Sequence, residues 1–173
     1  IAAVDRHLAA ATREHVAFRF VGRAGEHRDF TYAELARFTN RFGNVLRGLE
    51  VGKGDRLFIL AGRIPELYVA ALGALKNGTV VSPLFSAFGP EPIRTRLALG
   101  DGRVLVTTEA LYRRKVAPIM GDLPGLKHVL LVGDDSIQLD DDALANQLFA
   151  TIHDDQLFGL GGADLLSGGA GSD

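Results

Sequence analysis

Three groups of residues in this chain have the types and spacing to do chemistry. Asp155, Asp164 and Asp173 stand nine residues apart, and Leu157 and Leu166 keep the same interval among many glycines. Carboxylate and carbonyl oxygens at that repeat suit a hard cation such as Ca²⁺, which takes about six to eight oxygen ligands, and glycine lets a turn expose its carbonyls. Arg113-Arg114-Lys115 is a run of three cations, the kind of cluster that meets a phosphate or solvates a helix face. Gly52-Lys53-Gly54 is the nearest approach to a phosphate-cradling loop. It lacks a run of hydroxyl residues and reads as a helix-ending turn. His7, His15, His27, His128 and His153 have no metal-ligand spacing, and no pair of carboxylates has an evident catalytic spacing.

The elements that must carry these groups belong to two kinds of sequence. Hydrophobic residues make up 47% of the 173 residues and charged ones 23%, the balance of a globular protein. Residues 1–133 hold all 19 Lys and Arg against 12 Asp and Glu, whereas residues 134–173 hold nine Asp and no basic residue. The net charge of −2 hides this asymmetry, which sets a boundary near Gly133 to Asp142. That net charge argues for no nucleic-acid partner, and no apolar run reaches the roughly 18 residues of a membrane span. The absence of cysteine excludes disulfides and thiolate metal sites. The chain starts at Ile1 without a signal-peptide pattern, from which a cut or partial N-terminus is expected.

Along residues 1–133, helical and strand patterns alternate. A helix is predicted from Val4 to Glu14, a strand over Val16–Val21 and a second strand over Arg28–Tyr32. Thr31 and Glu34 have capping-box spacing, and Leu35, Phe38, Phe42, Val45, Leu46 and Leu49 fall on one helical face. Val51-Gly52-Lys53-Gly54-Asp55 should break that helix. Arg56–Ala61 reads as a strand buried on both faces, and Pro65 opens a helix that runs to Gly78. A strand at Thr79–Val81, a helix from Pro90, a strand at Arg103–Thr107, a basic helix around Tyr112–Val116 and a strand at His128–Val132 follow. Such alternation predicts an α/β fold with a mainly parallel sheet. An incomplete sheet would leave an open edge, so homo-association is expected.

Several stretches in this order resemble the N-terminal part of the AMP-forming acyl-CoA synthetases, a branch of the adenylate-forming enzymes. They are Thr31-Tyr32-Ala33-Glu34-Leu35, Val51 to Leu57, Ile64-Pro65-Glu66-Leu67-Tyr68, Ala71 to Gly78 and Pro83-Leu84-Phe85-Ser86-Ala87-Phe88. The last run looks most like the acetate–CoA ligases. The resemblance covers roughly residues 1–133 and implies the family reaction, ATP, a carboxylate and CoA giving acyl-CoA, AMP and pyrophosphate, with Mg²⁺. It further implies that Phe85, Ser86, Ala87, Arg113 and Arg114 lie near the nucleotide end of coenzyme A. Ser86 and Ala87 stand where some relatives carry two glycines. Alternatively, Phe85 and Phe88 are core residues and the basic run is a solvated helix face. The Ser/Thr/Gly-rich ATP loop and the mobile C-terminal domain of the family have no counterpart in these residues, so catalysis by the chain alone is not expected.

The tail resembles the RTX (haemolysin-type) nonapeptide repeats through Gly168-Gly169-Ala170-Gly171-Ser172-Asp173 and through Gly159 to Ser167, which departs at Leu160. That resemblance implies a short β-roll-like tail with Ca²⁺ held by Asp155, Gly162, Asp164, Gly169, Gly171 and Asp173. The expected domains are therefore a synthetase-like segment at 1–133, an acidic linker at 134–149 and repeats at 150–173. The synthetase resemblance implies a cytoplasmic protein. The repeats imply an exported one, whose α/β part would be a non-catalytic interaction domain. A partial, rearranged or fused reading frame would account for both ends.

Overall fold

The computed structural model describes residues 2–9 and 11–132. Two strands, β1 (Val16–Val21) and β2 (His27–Thr31), form an antiparallel hairpin, and helix α1 (Tyr32–Gly48) follows directly. The capping box expected from the sequence is present. The Glu34 N–H donates to Thr31 Oγ1 (3.2 Å), and the Thr31 N–H donates to Glu34 Oε2 (2.8 Å).

Strands β3 (Arg56–Leu60), β4 (Val80–Leu84), β5 (Val104–Thr108) and β6 (His128–Val132) form one parallel sheet in the order β4-β3-β5-β6. Helix α2 (Pro65–Lys76) connects β3 to β4, and α3 (Pro90–Leu99) connects β4 to β5. The fold is the α/β class with the parallel sheet that the alternation predicts. Side chains along β3 divide by parity, as the pleat requires. Leu57 and Ile59 join Val104, Val106, Leu130 and Val132 in a core beneath α1 and α2. Phe58 and Leu60 join Leu105, Val129, Ile93 and Leu97 in a second core beneath α3.

Helices α1 and α2 lie against each other across Gly73. A Cβ there would stand 2.8 Å from the Thr39 carbonyl oxygen and 2.9 Å from Phe42 Cβ. At the end of α2, Gly78 takes φ +79°, the left-handed C′ conformation that the sequence assigned to it.

Four local expectations are corrected. Val4–Glu14 is not a continuous helix: among its described residues the helical part is a 3₁₀ turn at Asp5–His7. Buried Val4, the stacking of His7 on Tyr32 (4.3 Å between ring centroids) and the Thr12 hydroxyl donating to the His7 carbonyl tie this short segment to the body of the fold. The end of α1 does not use the two glycines; Glu50 takes the left-handed conformation at φ 56° instead. Strand β4 runs on through Pro83 to Leu84, which an edge strand tolerates because the missing N–H faces no neighbour. The basic segment Tyr112–Val116 is a π-helical turn between a short helix, α4 (Glu109–Leu111), and a 3₁₀ turn at Ala117–Asp122.

Gly73→Ala tests the helix contact with opposing expectations. Intrinsic propensity favours alanine by about 1 kcal/mol, but forcing a methyl into a packed contact costs roughly 1–3 kcal/mol. Urea unfolding should show net destabilisation; a raised midpoint would mean that the helices have room to part.

Candidate functional site

The sheet has two ends with different chemistry. At the amino ends of the strands, the Gly52 N–H donates to Asp55 Oδ2 (2.8 Å) and Arg103 Nη1 donates to Asp55 Oδ1 (3.2 Å). The Gly52 bond is the main cause that holds the Asp55 carboxyl below the ordinary carboxylate range, with the Arg103 charge adding to it. Arg56 pairs with Asp101 at the same end, and the Gly54 N–H donates to the Gly78 carbonyl (3.0 Å). Gly52-Lys53-Gly54 is thus a turn that fastens the amino ends of the strands and does not itself end α1, and it lies away from the end where ligands bind in open α/β sheets.

The carboxyl ends present the loops. The chain leaves β3 toward β4 on one side and returns past it to β5 on the other, so the strand order reverses between β3 and β5. Such a switch point opens a crevice at the carboxyl ends of the strands. The Thr107 hydroxyl, fully buried, donates to the Leu60 carbonyl (2.7 Å) and ties the two strands there. Arg63 follows β3 and is exposed. Phe85-Ser86-Ala87 follows β4, and the basic turn follows β5 and α4.

Phe85 is 65% exposed and meets the edge of the Phe88 ring at 5.7 Å between centroids. Phe85 is therefore not a core residue. Phe88 is half-buried against the second core, with the Arg96 guanidinium 4.2 Å above its ring. Ser86 and the basic turn come together: Lys115 Nζ donates to the Ser86 carbonyl (2.6 Å). Arg113 pairs with Glu109 (2.5 Å) while its side chain stays 75% exposed. Arg114 is exposed. Ala87 is exposed as well. Sequence reading missed Arg63 and the anchoring role of Lys115. Their signals were the position of Arg63 directly after a doubly buried strand and the third cation of the basic run.

Glu66, in the first turn of α2 at this same end, has its carboxyl pushed above the ordinary range by burial. Among the described residues no three His, Asp or Glu side chains cluster in a way that would hold a metal ion. Asp155, Gly162, Asp164, Gly169, Gly171 and Asp173 lie outside the described residues. No described helix is long and apolar enough to cross a membrane.

The family model described as AMP-binding enzyme matches residues 5–157. The chain belongs to the AMP-binding enzyme family. The family match runs past residue 133 into the acidic stretch. The chain is 40% identical over 135 residues to an acetyl-coenzyme A synthetase of Bacillus subtilis (strain 168), covering 78% of this chain and 23% of that protein. It is 36% identical over 112 residues to a 3-hydroxypropionyl-coenzyme A synthetase of Sulfurisphaera tokodaii, covering 65% of this chain and 17% of that one. A crystal structure of a Brucella canis acyl-CoA synthetase superposes with a TM-score of 0.66 at 27% identity, over 80% of this chain and 24% of that one. The chain therefore spans less than a quarter of the length of these curated relatives.

The raised Glu66 carboxyl has a sign that can be checked. A group whose folded pKa lies above its unfolded value favours folding when protonated. Its contribution falls as pH rises from the ordinary value of 4.5 through the raised one. Glu66→Gln removes this dependence, so the stability of wild type relative to the variant should decline across that window in urea titrations. A difference that stays constant with pH would mean that burial does not hold the proton.

Proposed function

We propose that this chain supplies the leading part of an AMP-forming acetate- or acyl–CoA ligase and holds the nucleotide end of coenzyme A at the carboxyl end of its sheet. The observation that carries the reading is the junction of the Phe85-Ser86-Ala87 loop with the basic turn through Lys115, beside an exposed aromatic ring. Guanidinium groups suit phosphate through charge-assisted, bidentate bonds. An aromatic face suits a purine. The loop backbone approaches less closely than a Gly-Gly pair would allow, since Ser86 and Ala87 both carry a Cβ.

In this reading the 173 residues alone do not make an acyl-adenylate. That step needs a Ser/Thr/Gly-rich loop with a lysine around the phosphates of ATP and a charge to offset what develops at the α-phosphate. The chain contains no such hydroxyl-rich run. The whole-enzyme reaction, with ATP, Mg²⁺ and CoA, belongs to the longer relatives.

Titration calorimetry with adenosine 3′,5′-bisphosphate tests the site. Arg113→Ala with Arg114→Ala should weaken binding by about tenfold or more, as lost charge-assisted bonds do. Equal binding by the variant would remove these residues from the site. Acetate-dependent ATP–pyrophosphate exchange should be absent; measurable exchange would overturn the non-catalytic reading.

The nine-residue register of Asp and Leu favours a second reading, in which the tail binds calcium. Saturable Ca²⁺ binding with a gain of β signal in circular dichroism is expected, and Asp164→Ala with Asp173→Ala should abolish both. No binding would leave the tail as an acidic segment only.

A further inference from the structure

A second basic cluster stands at the amino end of the sheet, apart from the loops that carry Phe85 and Arg113. Arg103 precedes β5 and Lys127 precedes β6, and the Lys127 and His128 N–H groups both donate to the Arg103 carbonyl (2.9 and 3.2 Å). Together with Met120, Leu123 and Leu126, from the turn and loop that lead into β6, these three residues line a cavity of about 520 Å³. That size falls within the range of small-molecule sites, roughly 300–1,000 Å³.

The charges around this cavity do not cancel. No Asp or Glu lines it. Asp55 is answered by Arg103 Nη1 (3.2 Å) and Asp101 by Arg56. Lys127 is exposed, and its Nζ donates to the Pro124 carbonyl (3.0 Å), a partner without charge. Arg103 Nε is buried with no hydrogen-bond acceptor, a condition that among the described residues it shares with Arg41 Nη1. Native structures seldom leave a buried donor unmatched, and an ion or water is a usual answer to one. The rest of the wall is apolar: Leu123 and Leu126 are buried and Met120 is half-buried.

We propose that this cavity binds a small organic carboxylate, with its charge on Lys127 and Arg103 and its apolar body against Met120, Leu123 and Leu126. An inorganic anion would pair with the cations and leave the apolar wall in water. A neutral apolar molecule would cover the cations without pairing them, which is costly. A planar carboxylate matches the edge of a guanidinium through charge-assisted bonds, and Nη1 is already spent on Asp55, which leaves the edge that carries Nε. Nε is itself covered, so pairing turns the guanidinium toward the cavity. Binding here is independent of whether coenzyme A is held at the other end of the sheet.

Titration of the isotope-labelled 173-residue chain with hexanoate, at ionic strength fixed with NaCl, tests the site. Amide signals of residues 103 and 120–128 and the Arg103 Nε–H signal should shift saturably, while those of 85–88 and 112–115 should not. Hexanol has the apolar body without the charge, and acetate has the charge without the body. Each should bind at least about tenfold more weakly than hexanoate. Lys127→Gln should weaken hexanoate at least about threefold. Met120→Glu sets a like charge at the wall and should abolish saturation, with the urea midpoint of each variant reporting whether the fold survives. If Met120→Glu unfolds, Lys127→Gln and the three ligands still decide. Shifts that do not saturate, hexanol or acetate binding as tightly as hexanoate, or unchanged affinity in Lys127→Gln overturns the proposal. Shifts confined to 85–88 and 112–115 would put the anion at the opposite end of the sheet and overturn it as well. Binding of adenosine 3′,5′-bisphosphate is measured separately, so its failure leaves this result standing.

Discussion

Strand β3 is the constraint on which the rest depends. Leu57, Phe58, Ile59 and Leu60 are all buried, so this strand needs cover on both faces. Its alternating side chains feed two separate cores, one under α1 and α2 and one under α3 and the turns after β5. A strand with two apolar faces cannot sit at the margin of a solvated sheet. The chain meets this demand by placing β4 on one side and β5 on the other. That choice creates the reversal of strand order at the carboxyl ends, and so the crevice around which the loops gather.

The same demand separates structural charge from available charge. At the amino ends, close turns between strands draw Asp55, Asp101, Arg56 and Arg103 into mutual pairs. They serve as fasteners. At the carboxyl ends Phe85, Arg63 and Arg114 are exposed to solvent. Lys115 is the exception, since it spends its charge on the Ser86 carbonyl and so couples the loop after β4 to the turn after β5.

Much of this fold was legible because its signals are local. The capping box at Thr31 and Glu34 involves groups three residues apart, and both of its bonds form. Pro65, Gly78 and the apolar run at Leu57–Leu60 likewise act through their own backbone geometry or burial. The misread segments are those where distant contacts outweigh local preference. Val4–Glu14 has helical composition, but Val4 and His7 are claimed by the core and by Tyr32. Helix α1 ends at Gly48, and the left-handed turn that follows falls on Glu50, a non-glycine, while Val51, immediately after it, is buried.

The sequence by itself determined the class of the fold, the family resemblance over the first 133 residues and the division of charge between the two parts of the chain. These follow from periodicity, turn chemistry and composition, which are properties of neighbouring residues. Only the tertiary structure decided that Phe85 is exposed, that Lys115 holds the loop at Ser86, and that Arg63 and the basic turn follow strands at the same end of the sheet. The reason is physical: which strands lie side by side depends on burying both faces of β3, and that is settled by packing across the whole sheet and not by any short run of residues.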